Sequence, residues 1–208
     1  SLFEKYGDKL GSEPKEKVFE KVRFVSLEVI MGMIKDDLLK LGIEMDVFTS
    51  EKEIISGHLL TEILTILENK NLIFNGVLDP PKGTDPKNWE KREQLLFKSS
   101  LYGDDSDRAL KKSDGSSTYF ATDMAYHLDK ILRTKGDLIN ILGADHGGYT
   151  SRITSAVKAL SDGKYKLTNK ICAIVHLIED GNVIKMSKRS GNFITLSEII
   201  NYVGKDVI

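Results

Sequence analysis

The chain has 208 residues, 40% of them hydrophobic and 29% charged, enough to bury a core in one large domain or a domain with an insertion. Thirty basic residues oppose 31 acidic ones, so bulk charge excludes a global field that would gather a polyanion. One cysteine excludes an internal disulfide or a multi-cysteine metal site, and no apolar run approaches the roughly 18 residues of a membrane helix.

The chain opens on Ser1-Leu-Phe-Glu-Lys-Tyr6, which is not a signal peptide and lacks an initiator Met; it stops at Lys205-Asp-Val-Ile208. Both ends are expected to be cuts in a longer protein. Residues 13–41 predict a long helix, with Val18, Val22, Val25, Val29 and Met33 at helical spacing and Leu38 and Leu41 continuing the face. Gly42 is a stop signal. Ile43, Met45 and Val47 alternate with polar residues and predict a strand. A second helix is expected over 57–69, with Leu60, Ile63, Leu64 and Leu67 on one side.

The stretch 75–92 changes character. Asn75-Gly76 and Asp79-Pro80-Pro81-Lys82-Gly83 are turn signals, and Pro86 and Trp89 follow in a polar run, so a loop-rich insertion is expected. Short strands are expected at 94–98 and 107–112 around the turn Gly103-Asp104-Asp105, with a further turn at Asp114-Gly115. From residue 116 the pattern is α/β. Ser116–Ala121 is β-prone, and Thr122 is placed to cap a helix from Asp123 to Arg133. Leu138–Leu142 predicts a short strand ending at Gly143, followed by a helix over 150–160. Ile171–Ile178 predicts a buried strand with Cys172 in the core, and Leu196–Val203 an amphipathic helix. Strands separated by helices imply a parallel sheet.

The string Lys185-Met186-Ser187-Lys188-Arg189-Ser190-Gly191-Asn192 is the most specific feature. Two lysines three apart, in a loop containing a glycine, suit a polyphosphate: each ammonium is a compact charge with three donors on a flexible stem. Ser187 adds a hydroxyl. Tyr119 and Asp123 are four apart, which puts them on one face of a helix and equally of a strand. A carboxylate accepts a guanidinium through two parallel bonds; the alternative reading has Asp123 as a helix cap and Tyr119 in the core. Gly143-Ala144-Asp145-His146 ends a predicted strand, where ligands bind in open α/β sheets.

The lysine string resembles the signature loop of class I aminoacyl-tRNA synthetases. The text Asp114-Gly-Ser-Ser-Thr-Tyr-Phe-Ala-Thr-Asp-Met-Ala-Tyr-His-Leu-Asp-Lys130 resembles the arginine-pocket block of the arginyl-tRNA synthetases (arginine–tRNA ligases), and Gly143–Tyr149 their block at the ribose end of the ATP site. Residues 34–51 also resemble that family. Where the family usually has His-His-Gly, this chain has His146-Gly147-Gly148.

The resemblance implies the later part of a Rossmann-like class I catalytic domain with a parallel sheet, plus an inserted α+β segment. Residues 1–112 would form a helical, loop-rich part with the connecting insertion. Residues 113–208 would form the second half of the nucleotide-binding fold, ending in the lysine loop and its following helix. The histidine-rich first half-site and the anticodon-binding domain are absent from this stretch, so little activity is expected of it alone. By resemblance Tyr119 and Asp123 bind arginine. Gly143, Asp145, His146, His176, Lys185, Met186, Ser187 and Lys188 bind ATP, with Lys188 and Lys185 catalytic. ATP with Mg2+ is expected as substrate and no structural metal. The implied partners are tRNA(Arg) and L-arginine, in a monomeric parent in the cytoplasm and off the membrane. Another class I synthetase or a non-catalytic nucleotide- or RNA-binding module is the alternative.

Overall fold

A computed structural model describes residues 2–79, 91–179, 181–184 and 194–208. The helices are α1 (Leu2–Tyr6), α2 (Lys15–Lys40), α3 (Glu51–Ser56), α4 (Leu59–Asn69), α5 (Tyr119–Thr134), α6 (Thr150–Leu160) and α7 (Leu196–Val203). The strands are β1 (Ile73–Val77), β2 (Glu93–Phe97), β3 (Arg108–Ala109), β4 (Leu138–Gly143), β5 (Leu167–Cys172), β6 (Ile178–Glu179) and β7 (Asn182–Val183). The fold is mixed α/β. Two compact units divide it, Ser1–Phe48 with His176–Ile208, and Thr49–Val175; the expected boundary at 112/113 falls inside the second.

In the first unit, α2 matches the predicted helix. It stops as Gly42 suggests, at φ +73°, with Ile43 N–H bonded to the Leu38 carbonyl and Gly42 N–H to that of Leu39. These paired bonds satisfy carbonyls that a helix end leaves orphaned. Of its predicted face only Val25 is buried, while Val29 and Met33 are more than half exposed. The strand expected at Ile43–Val47 does not form, and all three apolar residues are exposed. Alternation alone makes no strand without a partner to complete the ladder. Helix α7 carries a capping box: Thr195 Oγ1 accepts from Glu198 N–H at 3.2 Å, and Glu198 accepts from Thr195 N–H at 2.6 Å.

The second unit has the apolar core. Ile63 and Leu67 of α4, Phe97 of β2, Met124 of α5, and Ile153 and Val157 of α6 are fully buried in one cluster. Strands β1, β2 and β3 form an antiparallel sheet, with Ile73 opposite Phe97 and Leu96 opposite Ala109. Asn75-Gly76 is therefore not a turn but the middle of β1. A Cβ on Gly76 would sit 2.7 Å from the Phe74 ring and 3.0 Å from Leu96, so the glycine makes room for packing. The expected strand over 107–112 shrinks to Arg108–Ala109, with an isolated bridge from Lys111 to Ser117. Residues 80–90 of the expected insertion lie outside the described residues.

Strands β4 and β5 pair in parallel from Leu138 opposite Leu167 to Gly143 opposite Cys172, joined through α6. This is the expected strand-helix-strand pattern. The second strand is displaced, however: β5 ends at Cys172, and residues 173–177 are irregular and mostly exposed. Cys172 is thus an exposed strand end rather than a core residue. The β-prone reading of 116–121 is also corrected. Thr118, not Thr122, caps α5, its Oγ1 accepting from Ala121 N–H at 3.2 Å, and the helix begins at Tyr119. A threonine cap removes one orphan N–H of the first turn, which outweighs local β preference.

Candidate active site

The parallel pair sets Gly143 and Cys172 side by side at the carboxyl edge. There the chain leaves β4 through a 3-10 turn, Ala144–Tyr149, into α6. Asp145 curls back over Gly143: a Cβ at 143 would lie 2.6 Å from Asp145 Oδ1, so only a glycine leaves this carboxylate its place. His146 Nε2 and Asp145 Oδ2 are 3.5 Å apart, and both side chains are exposed and free to meet a ligand. Among the described residues no group of three or more His, Cys, Asp or Glu is placed to hold a metal ion.

Helix α5 brings Asp123 against this turn. Starting the helix at Tyr119 puts Tyr119 and Asp123 one turn apart on one face. Neither is what the alternative reading required. Tyr119 is 79% exposed, not core, and Asp123 lies within the helix, not at its cap. The ammonium of Lys112 stands 5.7 Å from the Tyr119 ring centroid. Asp123 is half-buried, and its Oδ2 accepts from the Tyr149 hydroxyl at 2.5 Å. Tyr149 ends the Gly143–Tyr149 block, and sequence reasoning gave it no role. Its place in that block was the available signal.

A buried polar chain fixes the helix to the sheet. His127 Nδ1 is 2.7 Å from the Asp123 main-chain oxygen. That oxygen only accepts, so Nδ1 carries the proton and Nε2 accepts from Asn140 Nδ2 at 3.0 Å. Asn140 Oδ1 accepts from Lys130 Nζ at 3.3 Å, and Asn140 Nδ2 also approaches Asn169 Oδ1 at 3.3 Å. Asn169 donates on to Thr154 Oγ1 at 2.9 Å. The chain thus runs through α5, β4, β5 and α6, beneath Asp123.

Burial, aided by the Lys130 charge, lowers the His127 pKa below its usual 6.5. The unfolded chain then takes up the proton first. The stabilising contribution is full above about pH 6.5 and is lost as pH falls from there through the lowered folded value. Between about pH 8 and about pH 5 the urea midpoint is expected to fall, and to fall less in His127→Gln, which cannot titrate. Equal slopes in the two proteins would remove His127 from the pH response.

His176 belongs to the other unit, in an exposed irregular segment. Lys185, Met186, Ser187 and Lys188 lie outside the described residues. Of the expected site residues, Tyr119, Asp123, Gly143, Asp145 and His146 share the second unit.

No protein-family model matches the chain. The arginine–tRNA ligase of Ruegeria sp. strain TM1040 is 50% identical over 207 residues, covering all of this chain and 36% of that protein. That of Ehrlichia chaffeensis is likewise 50% identical, with the same coverage. This chain is a homologue of the arginine–tRNA ligases over its whole length. A solved Campylobacter jejuni chain, provisionally described as an arginyl-tRNA synthetase, superposes with a TM-score of 0.75 at 30% identity. The match covers 99% of this chain and 40% of that one. The present chain therefore spans about a third of the length of its arginine–tRNA ligase relatives. The aligned stretch takes in every candidate site residue.

Proposed function

We propose that the protein containing this chain attaches L-arginine to tRNA(Arg) at the expense of ATP, through arginyl-adenylate. The observation that carries this reading is Asp123: a half-buried carboxylate beside the open edge of a parallel strand pair, in a chain homologous throughout to arginine–tRNA ligases. The β4-α6-β5 crossover supports a Rossmann-like sheet, of which 113–208 is the second half. Asp123 accepts the substrate guanidinium through a two-bond fork that a lysine ammonium matches poorly. Tyr119 packs along the arginine stem. Gly143, Asp145 and His146 receive the ribose end of ATP, and His176 lies along the adenine. Lys185, Met186, Ser187 and Lys188 take the phosphates of Mg2+-ATP.

The arginine carboxylate attacks the α-phosphorus and pyrophosphate leaves; a hydroxyl of the terminal ribose of the tRNA then attacks the arginyl carbonyl of the adenylate, and AMP leaves. Catalysis rests on positioning and charge stabilisation. The intact enzyme works as a cytoplasmic monomer, and this stretch alone has little activity. Among the described residues no helix is long and apolar enough to cross a membrane.

The test is arginine-dependent ATP–pyrophosphate exchange by the intact protein, with tRNA present. A response to another amino acid in place of arginine would overturn the proposal. Asp123→Asn is expected to raise the arginine KM roughly 10- to 100-fold, the worth of hydrogen bonds to a charged group. An unchanged KM would leave Asp123 with Tyr149 as its only business.

A further inference from the structure

The Asp123 carboxylate is already held before any substrate arrives. The Tyr149 hydroxyl meets Oδ2 at 2.5 Å, the short range of an O–H donor on a charged oxygen. Among the described residues Tyr149 is its one hydrogen-bond donor. The tyrosine is itself clamped. Its ring packs against the apolar core on one side, and the Arg152 guanidinium stands 5.4 Å from the ring centroid. Burial and the bond to Asp123 push its phenol far above the usual range, so it stays a donor throughout the working pH.

We propose that Tyr149 is the positioning residue for amino-acid recognition: its hydroxyl fixes the Asp123 carboxylate and presents the remaining oxygen sites to a guanidinium in one orientation. The inference rests on the reading of Asp123 as the arginine acceptor. An ionised carboxylate offers about four lone-pair sites. Tyr149 takes one, and a guanidinium fork takes two. A carboxylate free to rotate on its helix would meet the fork in many orientations and lose much of the advantage of two parallel bonds. Tyr149 also closes the turn that carries Asp145 and His146, so this one hydroxyl ties the nucleotide turn to the amino-acid helix.

The test is steady-state exchange by the intact protein, with arginine and ATP varied separately. Tyr149→Phe is expected to raise the arginine KM about ten-fold while the ATP KM stays within about two-fold. The double variant Tyr149→Phe/Asp123→Asn should be no worse than Asp123→Asn alone, because the hydroxyl acts only through that carboxylate. An unaltered arginine KM in Tyr149→Phe, or losses that simply add, would overturn the inference. If Asp123→Asn itself leaves the arginine KM unchanged, the pocket reading fails instead, and this inference with it. Should Tyr149→Phe not fold, Tyr149→His, whose ring keeps a donor in a different place, replaces it. A raised arginine KM with a steady ATP KM supports the role, and both unchanged or both raised sink it.

Discussion

Arg108→Ala is expected to destabilise the protein by about 3–5 kcal/mol, the usual cost of stranding one partner of a buried ion pair. Asp104 has no exposed side-chain surface, and Arg108 grips it with both ends of its fork, Nε to Oδ2 at 2.7 Å and an Nη to Oδ1 at 2.8 Å. The same guanidinium also bonds Asp105. Ser151, at the start of α6, donates to Asp104 Oδ1 at 3.4 Å, so the pair joins β3 and the segment after the 99–102 turn to that helix. Burial opposes ionisation of Asp104, but the Arg108 bonds prevail and bring its pKa to about 2. A depressed carboxyl contributes fully above its unfolded value of 3.8 and loses that contribution as pH falls through about 2. The pair therefore stays ionised at all ordinary pH, and its loss should be equally costly from mild acid to neutrality. The melting midpoint should drop by on the order of 10 °C. Adding Asp104→Asn to Arg108→Ala should restore part of it, because no charge is then left buried. A midpoint unchanged by Arg108→Ala would show the pair to be ornamental.

The second large effect is expected on the chemistry. Under the proposed function, Lys188→Ala in the intact enzyme should lower the exchange rate about 100- to 1,000-fold, equivalent to roughly 2.7–4 kcal/mol for one preorganised donor at a developing charge. Arginine affinity should change little, because the lysine meets the phosphates and not the amino acid. Lys188→Arg keeps the charge but replaces a compact ammonium by a planar fork, so it should rescue only in part. An unchanged rate in Lys188→Ala would remove this residue from the mechanism.

How far the sequence can be read depends on what each signal measures. Helical periodicity located α2, α4, α6 and α7 because one turn of spacing samples one face, and caps such as Gly42 are local. Strands were harder. β1 hides a glycine whose purpose is room beside Phe74 and Leu96, a cross-strand fact invisible in a one-dimensional string. Ile43, Met45 and Val47 alternate correctly yet find no ladder. The start of α5 was missed because Thr118 and Thr122 are equally good caps in isolation, and Thr118 is further held by a bond to the Ala109 carbonyl at 2.8 Å. At the site, Tyr119, Asp123, Gly143, Asp145 and His146 were nameable as candidates by resemblance to a family, and the fold sets all five in the second unit. Tyr149, whose hydrogen bond spans 26 residues, was not among those candidates. The Asp104–Arg108 pair likewise hid inside what read as a turn followed by a strand.

The β4-α6-β5 crossover has a consequence for assembly. Leu138 and Leu167 lie far apart in the chain and pair in parallel, so no tight hairpin can zip them together. Loop closure must be met before the ladder rewards it. The edge holding Gly143 and the turn to Tyr149 is then among the last features to form in a refolding chain. Under the proposed function, return of ATP binding in the intact protein should lag behind return of helical dichroism.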